Sequence, residues 1–188
     1  TSVDFNGEII NRDEGPREPD LDKIKSLSPA FDVAGTITPA TSSPISIGAS
    51  MMILASEDFT RGCGIKPEFR VVSRAVTGVD WTLMGSGPLP ATKKALKKAN
   101  LSMEDIDVIE LNEAFAAQSL YVVKKGGWDA SKINLNGGAI ALGHPLGCSG
   151  SRIIITLMNT MRQSDARYGL ATMCIGTGQG ISTIIERI

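Results

Sequence analysis

Three polar residues far apart in the chain could do chemistry together: Asn112, His144 and Cys174. A thiol beside an imidazole can lose its proton and act as nucleophile or base. An amide next to an imidazole can polarise a carbonyl, directly or through a held water. Backbone N–H groups freed by the glycines after Cys174, in Ile175-Gly176-Thr177-Gly178-Gln179-Gly180, can form an oxyanion hole. Those are the parts needed for acyl transfer, or for carbon–carbon chemistry next to a thioester. Each residue also has a plain structural use. Asn112 could cap a helix, and Cys174 could be a small buried apolar residue. The glycines after Cys174 lack dinucleotide-loop spacing and precede a strand, so they do not read as a nucleotide site.

His144 is the only histidine, and it lies in a stretch, Asn136 to Gly150, that holds five of the 20 glycines. Glycines let a backbone turn tightly and approach a neighbour closely, and Pro145 stiffens the chain just after the imidazole. The apolar residues from Ser149 to Arg162 (Ile153, Ile154, Ile155, Leu157, Met158, Met161) predict a helix that anchors this loop in a core. Asp107–Leu111 reads as a strand running into Asn112-Glu113, so the amide sits at a strand's C-terminal end and a helix's start. Sites in α/β proteins are commonly built there. That helix ends at Lys124-Lys125-Gly126-Gly127, a basic last turn with a glycine stop. Tyr168–Met173 and Ile181–Glu186 read as two strands of an antiparallel hairpin, with Cys174 at the end of the first.

Upstream, residues 1 to about 30 are polar and turn-rich and suggest a surface arm with a short helix near Leu21–Leu27. Thr36-Ile37-Thr38 is a brief β-prone run. After Thr41-Ser42-Ser43-Pro44, a helix start signal, Ile45–Ser56 is apolar on nearly every side and predicts a helix buried all round. Glu68–Val79 alternates as a strand, and Gly85–Pro90 launches an amphipathic helix over Ala91–Ala99 with a lysine-rich wet face. The sum is an α/β fold: a five-stranded mixed sheet covered by helices on both faces.

The 188 residues carry a net charge of -1, which argues against a nucleic-acid or anionic-membrane partner. No apolar run approaches a membrane span. Three widely separated cysteines, Cys63, Cys148 and Cys174, do not describe a disulfide framework. With no basic-then-apolar leader, reduced thiols in a cytoplasmic compartment are expected. One histidine and no paired cysteine spacing leave no zinc site to expect.

Asn112-Glu113-Ala114-Phe115, Gly137 through Gly147, and Cys174-Ile175-Gly176-Thr177-Gly178 resemble the three C-terminal signatures of the thiolases. These are the acetyl-CoA acetyltransferases and 3-ketoacyl-CoA thiolases. Asp13-Glu14-Gly15-Pro16-Arg17 resembles the family's stretch leaving the CoA-covering loop domain, and Met84-Gly85-Ser86-Gly87-Pro88 its CoA-side turn. The resemblance implies a layered thiolase fold with residues 1–34 ending the loop domain and 35–188 forming the C-terminal domain. It implies that His144 deprotonates a nucleophilic cysteine and, with Asn112 through a water, holds a thioester oxygen. Cys174 would move the proton on the acetyl-CoA methyl, and the Gly176 N–H would serve an oxyanion hole. Phe31, Ser43, Met84, Ala114 and Phe115 match positions lining the pantetheine tunnel. The implied partners are acyl-CoA and acetyl-CoA as substrates, with no permanently bound cofactor, and an oligomer of like chains.

Departures from the pattern are equally specific. The family's nucleophilic cysteine lies in an N-terminal half that this sequence lacks. Cys148 stands where the family often has alanine, and Thr41 and Ile47 where Asn and Asp are usual. The chain alone is therefore expected to be inactive and to expose faces that the other half would cover. The alternative is a non-catalytic module that binds CoA or serves as an assembly surface. Other condensing enzymes of the superfamily use two histidines, or histidine and asparagine; Cys174 with Asn112-Glu113 favours the thiolases.

Overall fold

Two hydrophobic layers, one on each side of a single sheet, organise the chain. The computed structural model describes residues 2–188. In order the elements are β1 (Val3–Phe5), β2 (Glu8–Ile10), α1 (Leu21–Ser26), α2 (Glu57–Gly62), β3 (Phe69–Gly78), α3 (Pro88–Ala99), β4 (Val108–Leu111), α4 (Ala116–Gly126), α5 (Ala139–Leu142), α6 (Ser149–Gln163), β5 (Tyr168–Ile175) and β6 (Gln179–Arg187). The main sheet has the order β3-β6-β5-β4; β4 runs parallel to β5 and the other pairs are antiparallel.

Side chains alternate across a strand, so one apolar strand can feed two cores. Ile109, Leu111, Leu170 and Ile184 face α3 and α4, packing with Ala95, Leu96, Val122 and Trp128. Val108, Ala171 and Ile185 face α6, packing with Ile153, Leu157 and Met161. The expected α/β class with helices on both faces holds. Helix boundaries follow the chain's own signals. α3 starts at Pro88, where the missing N–H costs nothing, and ends at Asn100 in the left-handed region (φ 54°). α4 ends the same way at Gly127 (φ 64°). Among the described residues no helix is long and apolar enough to cross a membrane.

Three expectations need correction. The main sheet has four strands, not five: Thr36–Thr38 stays outside it, its middle residue Ile37 instead accepting the Ala30 N–H at 2.8 Å. The arm contains a separate two-stranded hairpin, closed by Asn6 and Gly7 at φ 54° and 87°. An Asn-Gly pair at positive φ is the preferred two-residue hairpin turn. Finally, residues 45–55 are not a helix. They run irregularly, with Ile45, Ile47, Met51, Ile53 and Leu54 exposed, and helix begins only at Glu57, capped by the Ser56 hydroxyl. A helix apolar all round needs cover on every side, and here no second layer supplies it.

Candidate active site

Asn112 leaves the end of β4 with its N–H donating to the Thr172 carbonyl at 3.0 Å, which extends the parallel ladder by one rung. The next residue ties this strand end to the histidine loop. The Glu113 carboxylate accepts the Ile140 N–H and the Asn134 amide, each at 3.1 Å. A side chain at Gly138 would come within 2.2 Å of that carboxylate and push it off these two hydrogen bonds. Gly143, at φ 94°, then turns the chain into His144.

The imidazole is gripped at both ends. Ser149 Oγ lies 2.6 Å from Nδ1 and donates its own proton to the Pro145 carbonyl at 2.9 Å. With the hydroxyl proton so used, Nδ1 must carry the hydrogen of that contact. Nε2 is then the unprotonated nitrogen, and Asn112 Nδ2 donates to it at 3.3 Å. Burial, helped by the positive charge of Arg152, lowers the His144 pKa. The ring is therefore a neutral base with its lone pair directed at the amide.

Cys174 is buried at the end of β5. Continuing the β4–β5 register puts Asn112 beside Met173, one residue short of Cys174, on strands about 4.8 Å apart. Burial pushes its thiol pKa up, so it rests protonated. Among the described residues no hydrogen bond joins its sulfur to Asn112 or His144. After it, open space lies over Gly176, and Thr177 and Gly178 (φ 65° and 82°) turn the hairpin.

Four of the five expected tunnel positions meet. The Ser43 N–H and hydroxyl both donate to the Ala114 carbonyl, at 3.0 and 3.2 Å. Phe31 packs edge-on against Phe115 with ring centres 5.9 Å apart. Met84 sits in the turn of residues 81–86, which packs through Gly85 onto Gln118 of α4. Sequence reasoning missed Ser149, whose signal was a hydroxyl one turn beyond the histidine at a helix start. It also missed Glu110, a lone carboxylate inside the apolar run of β4, and Arg152 on α6.

Comparison with known proteins identifies the family and the fold. The family model for the thiolase N-terminal domain matches residues 1–58, and that for the thiolase C-terminal domain matches residues 65–187. A 3-ketoacyl-CoA thiolase of Psychrobacter arcticus is 58% identical over 171 residues, covering 89% of this chain and 44% of that protein. One from Klebsiella pneumoniae is 58% identical over 184 residues, covering 95% and 48%. Among solved structures, human mitochondrial 3-ketoacyl-CoA thiolase superposes with a TM-score of 0.94 at 44% identity, covering all of this chain and 48% of that one. The same human enzyme in complex with CoA gives 0.91 at 40% identity. The chain thus spans about half the length of the curated relatives it matches. With both family domains matched in order along the chain, and relatives of that family 58% identical over most of it, the chain belongs to the thiolase family.

Proposed function

We propose that this chain supplies the base-and-amide half of a thiolase active site, acting on CoA thioesters once a second half brings the nucleophilic cysteine. The observation that carries the reading is the His144 ring held at both ends, Nδ1 against the Ser149 hydroxyl and Nε2 against the Asn112 amide. In the proposed reaction His144 takes the proton of that cysteine. The resulting thiolate attacks the acyl carbonyl carbon, and CoA leaves as its thiol. Cys174 gives its proton to the departing CoA sulfur, and the thiolate so formed removes a methyl proton from acetyl-CoA. His144 keeps the first proton and returns it to the nucleophilic cysteine when that is released. The carbanion attacks the acyl-enzyme, forming the carbon–carbon bond and releasing the cysteine; thiolysis is the same sequence reversed. Asn112 and His144 hold the thioester oxygen through a water, and the Gly176 N–H stabilises the other oxyanion.

Phe31, Ser43, Met84, Ala114 and Phe115 would line the pantetheine path, with CoA a substrate and not a resident cofactor. Residues 1–34 would close the CoA-covering loop domain and 35–188 form the C-terminal domain, although the N-terminal family model runs on to residue 58. The missing half would cover the exposed apolar residues between Ile45 and Leu54, and the assembled protein would be an oligomer. Three free cysteines fit a cytoplasmic setting.

The test is direct. Purified 188-residue protein should not cleave acetoacetyl-CoA in the presence of CoA. A CoA-dependent rate typical of an enzyme, lost on Cys148→Ala, overturns the proposal.

A further inference from the structure

Below the amide–imidazole pair lies a cavity of about 10 Å³, lined among others by Glu110, Asn112, Gly138, Arg152 and Thr156. That is the room one water needs. Glu110 Oε1, Asn112 Oδ1 and Arg152 Nε are all buried, and none finds a hydrogen-bond partner among the described residues. An unpaired buried polar atom costs about 1–3 kcal/mol, and three of them on residues that line one space point to a partner held there. A water satisfies all three at once. It accepts from the Arg152 Nε–H and donates its two protons to Glu110 Oε1 and Asn112 Oδ1.

We propose that Glu110 and Arg152 are positioning residues that, through one water in this cavity, set the orientation of the Asn112 amide and with it the tautomer of His144. The amide of Asn112 has a donor end and an acceptor end. With Oδ1 held by a donor in the cavity, Nδ2 must face His144, and Nε2 must then be the unprotonated nitrogen. Turned over, the amide would set its oxygen against Nε2, and the ring would carry its proton there. The cavity and Ser149 thus act from opposite sides toward one tautomer, the one able to take a proton through Nε2.

The charge balance agrees. Burial raises the Glu110 pKa to about 8, with Arg152 opposing and Glu113 reinforcing the rise. At neutral pH Glu110 is a protonated acid that brings no charge under the site. The proposal rests on the functional reading only in taking Asn112 and His144 as the working pair. Its test reads the imidazole and needs no turnover, so either can fail without the other.

His144 is the only histidine, so long-range proton–nitrogen NMR of the histidine-labelled chain reports one ring. At pH 7 the Nδ1–H tautomer should dominate. Arg152→Met and Glu110→Leu should each lower the Nδ1–H to Nε2–H ratio at least about threefold, the worth of one net hydrogen bond. Glu110→Gln, which keeps the hydrogen-bonding atoms, should leave the ratio unchanged. A dominant Nε2–H form in the unaltered chain, or an unchanged ratio in both disruptive variants, overturns the proposal. Should those variants not fold, a crystal structure of the unaltered chain decides it. Water density bonded to Glu110, Asn112 and Arg152 supports the assignment, and a dry cavity refutes it.

Discussion

The His144 loop and residues 45–54 lie against each other, yet they are held by opposite means. The Ser50 hydroxyl donates to the Cys148 carbonyl at 3.1 Å, and Gly48 approaches Pro145 closely. On the loop side each turn is tied down: Glu113 to Ile140, Ser149 to His144, and Leu157 and Met161 of the following helix buried in the core. On the other side Ile45, Ile47 and Ile53 are 105%, 104% and 89% exposed. No backbone hydrogen bond among the described residues engages residues 45–55. One region is satisfied by its own chain, and the other carries apolar side chains and backbone groups left without partners. Exposed contiguous apolar surface of this kind marks an interface. The contrast teaches that the Asn112–His144 pair is held by its own chain, whereas residues 45–54 present an apolar surface without cover.

The sharpest way to break this contrast is paired truncation. Leu157→Ala should cost about 2–5 kcal/mol of stability by chemical denaturation, because the residue is fully buried against the sheet. Ile47→Ala should stay within about 0.5 kcal/mol, as an exposed side chain has no packing to lose. A large cost at Ile47 would mean that the segment is covered within this chain.

A second effect separates the cavity from the loop by pH. Glu110 has its pKa raised by burial to about 8, so between its ordinary value and that pH the folded state holds a proton that the unfolded chain has released. Stability from this group is therefore full below the ordinary carboxylate range and is lost as pH rises toward 8. Glu110→Gln removes that loss, and should stabilise the protein at pH 8 relative to pH 4.5 by several kcal/mol, since each tenfold change in proton affinity is worth about 1.4 kcal/mol. His144 has the opposite sign. Its lowered pKa makes stability fall as pH drops below about 6.5, where the unfolded chain binds the proton first. Equal pH profiles for Glu110→Gln and the unaltered chain would show that the carboxyl is not buried in solution.

The smallest of the three concerns the lock on the ring. Ser149→Ala should cost about 0.5–1.5 kcal/mol, since it removes the partner of a partly buried imidazole nitrogen. It should also raise the Nε2–H fraction read by NMR. No change in either would remove Ser149 from the account.

How far these features were legible in the sequence follows from what each depends on. The strand and helix around Asn112, the helix after His144 and the hairpin after Cys174 carry their own periodicity and stop signals, and they stand where the pattern put them. Residues 45–55 carry a strong apolar pattern too, but an all-apolar run says only that it must be covered, not by what or in which conformation. Thr36–Thr38 failed for a related reason, since three β-prone residues become a strand only if an edge is open to them. The Asn6-Gly7 pair is a hairpin signal in its own right, and the structure closes β1 and β2 there. Asn112 and His144 were readable as a pair only through their joint signature, because they stand 32 positions apart and the contact is made by the fold. Ser149, Glu110 and Arg152 became visible only when distances and burial did.

The central claim is that this chain holds half of a thiolase site, completed by another half that brings the attacking sulfur. The most direct measurement mixes the purified chain with the separately expressed N-terminal half of one of its 3-ketoacyl-CoA thiolase relatives and follows cleavage of acetoacetyl-CoA by CoA. The account predicts no turnover by either part alone and turnover by the mixture that His144→Ala in this chain abolishes. Turnover by the mixture that survives His144→Ala would contradict it.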